Sequence, residues 1–264
     1  MNIENLLYAA LILITAFAGY LVKSLTLSGA IATVLIGAFT AIGFGWKGLL
    51  ILGLFFASSS FWSKYKKRQK DRVDEIIEKS GRRDWIQVFA NGSTSAFFAF
   101  AYFLFPHDFF LAGFLVAIAA ANSDTWASEI GVLSKQKPIF ILTGKKADPG
   151  TSGAISPLGT VAAFGGAMVI AVFSVYLLRL PVDFWLFFIA VFGFIGNVLD
   201  TLLGSMIQVE YQCVKCGLKT EKTIHCQEKT IHIKGLVIMN NDMVNFLSIT
   251  FAALFSIVFH IIIS

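Results

Sequence analysis

The chain has 264 residues, of which 56% are hydrophobic and 27 are Phe, and its mean hydropathy is +0.75. Too few polar residues remain to coat a water-soluble globule of this size, so a bilayer must supply part of the solvent. A net charge of +5 can mark a nucleic-acid binder, but here the basic residues sit in short stretches between apolar runs, so they read as topology signals and no nucleic-acid partner is expected.

In chain order, apolar runs over 4–22, 27–45, 47–62, 86–105, 109–131, 158–179, 183–208 and 242–263 predict an all-α polytopic transmembrane bundle of about eight spans across about 30 Å of hydrocarbon. The first run follows Glu4 with no Lys or Arg ahead of it, which is not the start of a cleaved signal peptide, so it is expected to remain as a span. The third is the shortest, and only Gly43, Gly45, Trp46, Lys47 and Gly48 separate it from the second, so a re-entrant pair is the alternative over that stretch. The whole chain, 1–264, reads as one transmembrane domain with three long loops, 63–85, 134–157 and 209–240. With eight spans, 19 of the 21 Lys and Arg residues fall on one side, and Lys47 and Arg179 alone fall on the other. Cytoplasmic loops collect basic residues, so both termini should face outward and the three loops inward. The expected setting is a bacterial cytoplasmic membrane with the site facing the cytoplasm. Within 63–85 the mixed charges predict a surface helix ending near Gly81.

Polar residues inside spans are costly and call for an explanation. In the fifth span Ala117, Ala120, Ala121, Asp124 and Ser128 form one small and polar stripe, and the seventh repeats it with Gly193, Gly196, Asn197, Asp200 and Gly204. The local sequences Asp124-Thr125 and Asp200-Thr201 also match. The fourth span opens with Asn91, and the eighth with Asn241, Asp242 and Asn245, followed by Ser248. Any one of these Ser, Thr or Asn side chains can serve as interhelical glue. Two carboxylates at one depth would repel unless a cation lay between them, and oxygen ligands suit Mg²⁺.

Between spans five and six, residues 144–160 place Lys145 and Lys146 ahead of Gly150, Thr151, Ser152, Gly153, Ser156 and Gly159. Small residues and free amides at a helix start, with two lysines, can form an anion cradle, although the P-loop pattern is absent. Three cysteines within one loop are a poor disulfide framework. Cys213 and Cys216 form a knuckle, followed by His225 and Cys226, a composition that suits a structural zinc, with His232 as the alternative to His225.

The segments 82–92, 121–131, 150–160, 199–205 and 240–248, with the Cys-x-x-Cys and His-Cys loop, together resemble the DUF92 family of integral membrane proteins. This is the family of the TMEM-nineteen-like proteins and of plant phytyl-phosphate kinase. Ser152 stands where Asp or Asn is expected in many relatives.

The resemblance implies a kinase that moves a phosphoryl group from a CTP-like nucleoside triphosphate to an isoprenyl or polyprenyl monophosphate. Asp124, Asp200, Lys145 and Lys146 would then be catalytic. Arg82, Arg83, Asn91, Ser123, Thr125, Glu129, Asn197, Thr201, Asn241, Asp242 and Asn245 would join the 150–159 residues in binding nucleotide or lipid phosphate. A transporter or flippase for a lipid-linked or anionic substrate, and a nucleotidyltransferase that forms a CDP-lipid, are the rival functions. The depth of the polar groups separates the first rival from the kinase, because a transporter needs them near the midplane.

Overall fold

A computed structural model describes residues 3–70, 73–79 and 81–263. Helix α1 (Ile3–Leu21) leads through a tight turn to α2 (Leu27–Lys64), the short α3 (Lys67–Lys70) and a 3₁₀ turn at Val73–Glu75. Helices α4 (Trp85–Leu104), α5 (Asp108–Gly131), α6 (Pro157–Leu178), α7 (Val182–Met206) and α8 (Asn241–Ile263) complete the bundle. Six of these helices are long and apolar enough to cross a membrane, and α4 adds 20 residues beside them.

Helix α2 reverses at Gly45, whose φ of 57° and ψ of −148° are open to glycine and strained for any L side chain. The ends of α2 show the reversal. Lys64 Nζ donates to the Val22 carbonyl at 2.6 Å, and Leu25 packs with Phe56 around Ala16 and Ala30. The arms 27–44 and 46–64 are thus antiparallel, each about 27 Å long at 1.5 Å per residue, and they match the separate second and third spans read from the sequence. The chain is a polytopic helical membrane protein. Its large exposed apolar side chains, among them Phe17, Ile31, Phe97 and Tyr176, face outward on the helices, as lipid contact requires.

Helix α5 is the axis of the bundle, packed against α2, α4, α6, α7 and α8. Its stretch Leu111–Ala121 is buried and apolar throughout. The small stripes of α5 and α7 face each other, and a Cβ on Gly196 would lie 2.4 Å from that of Ala120. Without a hydrophobic force between helices in lipid, such close approach supplies the dispersion contact that holds them.

The long loops carry short strands. Strands β1 (Ile139–Phe140) and β2 (Ala154–Ile155) pair as one ladder. Strands β3 (Glu210–Gln212), β4 (Lys219–Thr220) and β7 (Ile231–Lys234) form an antiparallel sheet in the order β4-β3-β7, and β5 (Ile224–His225) pairs with β6 (Glu228–Lys229). The single surface helix expected over 63–85 is not formed. The segment breaks into α3 and the 3₁₀ turn, because Lys66 adopts φ 50° just after α2 ends and Lys70 turns inward to Glu129. Residues 71, 72 and 80 of that segment lie outside the described residues.

Candidate functional site

The ends of the helices that carry the long loops enclose a cavity of about 480 Å³. Its wall includes Asp124, Thr125 and Glu129 from α5, Asn197, Asp200 and Thr201 from α7, Asn241, Asp242 and Asn245 from α8, Arg83 and Asn91 at the start of α4, and the loop Gly150–Ser156. The two stripe carboxyl groups, far apart in sequence, lie within hydrogen-bonding reach of each other.

Each is held by neutral donors. Asn197 Nδ2 donates to Asp124 Oδ1 at 3.2 Å, and Ser248 Oγ donates to Asp200 Oδ2 at 3.1 Å. Asn245 turns its amide nitrogen to the same Asp200 oxygen at 2.8 Å. Thr125 and Thr201 donate back to Ala121 and Asn197 carbonyls at 2.9 and 3.0 Å, leaving their oxygens free to accept. Two carboxylates in contact need a proton or a cation between them. An all-oxygen donor set of Asp, Asn and Thr fits a hard divalent ion such as Mg²⁺.

Around this pair stand charged groups that sequence reading missed. Lys70 is 5% exposed; its Nζ lies 2.6 Å from Glu129 Oε2 and donates to the Trp62 carbonyl at 2.6 Å, while Ser63 Oγ donates to Glu129 Oε1 at 2.6 Å. Lys79 bridges Asp242 at 2.6 Å and Asp84 at 3.0 Å, so Asp242 is committed to an ion pair. Asp84 in turn caps α4 by accepting from Gln87 N at 2.9 Å. Lys23, Lys64 and Lys67 also line the cavity and make no ion pair among the described residues. With Arg83, which also lines the cavity without an ion pair among the described residues, they are the charges left for an anionic ligand. Lys64, Lys67, Lys70 and Lys79 had as their sequence signal only a mixed-charge segment, which is ordinarily a solvated one, and Lys23 only a lone charge after the first apolar run.

Several expected site residues stand off the wall, and others on it are engaged in structural contacts. Lys145 and Lys146 are exposed beyond the β1–β2 ladder and are absent from the cavity wall; backbone pairing of Phe140 with Lys145, and of Ile139 with Lys146, turns that stretch outward. Arg82 is exposed and off the wall, whereas its neighbour Arg83 lines it. Ser123 is buried and donates to the Ala163 carbonyl at 2.8 Å, tying α5 to α6. Ser156 caps α6 by accepting from Gly159 N at 3.1 Å, so that helix start is already satisfied and is no open anion cradle. Gly159 lies against Gly131. Ser152 donates to Gln208 Oε1 at 2.7 Å, and Gly153 takes φ 78° against α7.

The last loop leans on the same site. Thr220 Oγ1 donates to the Ile76 carbonyl at 2.7 Å, Glu78 N donates to Glu221 Oε2 at 3.2 Å, and Gln208 Nε2 donates to Glu221 Oε1 at 2.6 Å. Burial pushes the Glu221 carboxyl up to about 7, and nearby Glu78 and Asp242 add to the rise. An acid whose folded pKa is raised binds more protons folded than unfolded, so stability falls as pH rises from 4.5 to about 7 and then levels off. Glu221→Gln should therefore gain melting temperature over the parent progressively across that window; a gain independent of pH would show that burial of charge is not its cause.

At the tip of this loop the ligand atoms of Cys213, Cys216, His225 and Cys226 all lie within 4.8 Å of one another. Cys216 and Cys226 sulfurs are 3.8 Å apart, about the edge of a tetrahedron with Zn–S bonds near 2.3 Å. Cys226 and Gln227 adopt φ 52° and 64°, so the two-residue turn between β5 and β6 brings His225 and Cys226 back to the knuckle. His232 is turned away, its Nε2 3.0 Å from the Gly235 carbonyl.

The family model described as Integral membrane protein DUF92 matches residues 10–253. The chain belongs to the DUF92 family. Among its relatives, Protein PGR of Arabidopsis thaliana is 31% identical across 93% of this chain and 92% of that protein. An uncharacterized membrane protein of Methanocaldococcus jannaschii is 33% identical across 76% and 83%. Protein VTE6, chloroplastic, of Arabidopsis thaliana is 25% identical across 90% of this chain and 66% of that protein. No solved structure matches. The DUF92 match spans the elements that build the cavity, from α1 to most of α8.

Proposed function

We propose that this DUF92 protein is a lipid-phosphate kinase that transfers the terminal phosphoryl group of a nucleoside triphosphate to an isoprenyl monophosphate at the inner, cytoplasmic face. The observation that carries the reading is the Asp124–Asp200 pair on the wall of a cavity that also presents lysines with no ion pair among the described residues. Phosphoryl transfer depends on positioning and charge neutralisation more than on covalent catalysis. Asp124 and Asp200 would hold a Mg²⁺ ion, whose charge would offset that of the phosphates. Asn197, Asn245 and Ser248 hold the carboxylates on the cavity wall by hydrogen bonds, and Lys23, Lys64 and Lys67 attract phosphate. A monophosphate acceptor is already an anion: its oxygen forms the new P–O bond as the bond to the nucleoside diphosphate breaks, and no general base is required.

The polar groups gather at one end of the bundle, and α5 above them is packed with apolar side chains from Leu111 to Ala121. This supports the kinase over a transporter, which wants its polar groups near the midplane. Purified protein incubated with labelled CTP or ATP, Mg²⁺ and prenyl monophosphates should give labelled prenyl diphosphate. Release of pyrophosphate with a CDP-lipid product would replace the kinase by a nucleotidyltransferase.

The Cys213, Cys216, His225 and Cys226 cluster is proposed to hold one structural zinc that orders the last inner loop. Metal analysis should find about one zinc per chain. Chelation should lower the melting temperature and expose three titratable thiols; metal-free protein of unchanged stability would leave the cluster as reduced thiols.

A further inference from the structure

We propose that an apolar slot between α1, the two arms of α2 and α4 receives the hydrocarbon chain of the lipid monophosphate, with Gly53 setting the chain that fits. This rests on the acceptor reading above.

The slot, of about 150 Å³, is lined by Ile12, Ile36, Leu49, Leu52, Phe56 and Val88 among others. It adjoins the polar cavity. Arg83, Gln87, Asn91 and Thr125 line both, and Thr125 is the neighbour of Asp124 in α5. Leu11 and Leu50 also line the slot and are 38% and 39% exposed on the bundle surface, so its mouth opens toward the acyl chains of the bilayer.

One guanidinium thus stands where an apolar channel meets a polar chamber. A free nucleotide has no use for the channel, and a neutral hydrocarbon has no use for Arg83. An amphiphile with an anionic head and an apolar chain satisfies both halves at once: the head meets Arg83 and faces the carboxylate pair, and the chain trades lipid contact for slot contact.

Three glycines line the slot. A Cβ on Gly37 would stand 3.1 Å from Ile12 side-chain atoms, and one on Gly92 would stand 3.1 Å from Ile36. Gly53 has nothing within 4 Å of such a Cβ, so a side chain there enters open space and fills it without displacing a neighbour. Gly53→Leu is the direct test. Thr33→Leu adds volume from the other arm of α2 and guards against a local folding defect at Gly53.

The experiment compares geranylgeranyl and dimethylallyl monophosphates as acceptors, and maps photocrosslinks from a diazirine-bearing long-chain monophosphate. Gly53→Leu should lower the long-to-short ratio of kcat/KM by at least about tenfold, the scale of a filled hydrophobic subsite, and Thr33→Leu should lower it in the same direction. Crosslinks should fall in α1, α2 and α4 and be lost in Gly53→Leu, while Asp124→Asn keeps them. An unchanged ratio in both folded variants, or crosslinks elsewhere, overturns the slot while phosphoryl transfer stands. Equal crosslinking by the matching phosphate-free prenol also overturns it, as an ordinary lipid crevice. Slot crosslinking by the monophosphate without any transfer keeps the slot and sinks the kinase. Neither crosslinking nor transfer overturns both.

Discussion

Replacing Asp124 or Asp200 by Asn should lower phosphoryl transfer by at least about a hundredfold, the loss typical of one transition-state electrostatic contact, while the protein still folds in detergent. Asn keeps the size and one oxygen but not the charge. The neighbours already donate to these oxygens: Asn197 at 3.2 Å to Asp124, Ser248 at 3.1 Å to Asp200. An Asn at either position keeps a carbonyl oxygen to accept those bonds, and removing one of two touching carboxylates also removes repulsion. Stability should therefore hold or rise as activity falls. Asn91→Ala should lose less, because its Nδ2 is engaged with the Gln87 carbonyl at 2.9 Å. Turnover and thermal unfolding measured on the same preparations decide the matter. Asp→Asn proteins with normal turnover would remove the metal role of the pair.

Gly153→Ala should be nearly as damaging by another route. At φ 78° an L side chain is strained, and its Cβ would lie 2.3 Å from Ser205 Cβ and 2.6 Å from Ser205 Cα. The second contact is with the backbone of α7, which has no rotamer to change. The loop must withdraw, taking Ser152 from Gln208. A loss of roughly 2 to 4 kcal/mol is expected, the backbone strain plus overpacking, with a parallel fall in turnover. Gly144→Ala is the control: its φ is 64° but nothing lies within 4 Å of the added Cβ, so only the smaller conformational part remains. Equal losses in the two proteins would mean that contact with α7 is not the cause.

The spans were legible because lipid demands long apolar runs with internally satisfied backbone. Asp124 and Asp200 were legible because a carboxylate within such a run has few structural uses. Even the reversal at Gly45 showed as a Gly-rich break, with a re-entrant pair as its alternative. The cationic wall was not legible. Lys70, Lys79 and Lys67 lie in a segment whose path depends on partners on α5, α4 and α8, and no local pattern names those partners. Lys145 and Lys146 misled for the converse reason: they adjoin the glycine loop in sequence, but strand pairing carries them off the wall. His225 rather than His232 became the fourth member of the cysteine cluster because of a two-residue turn of left-handed Cys226 and Gln227, and neither residue type announces that conformation.

The ion pair between Lys79 and Asp242 joins positions 163 residues apart, and this sets a clock on assembly. At about 5–20 residues per second a ribosome takes roughly ten to thirty seconds to deliver the second partner after the first. Late in that interval, once Asp200 has been made, the Asp124–Asp200 pair still lacks the Asn245 and Ser248 that α8 will bring. A chain that ends between α7 and α8 has both carboxylates but lacks the two α8 side chains that donate to Asp200.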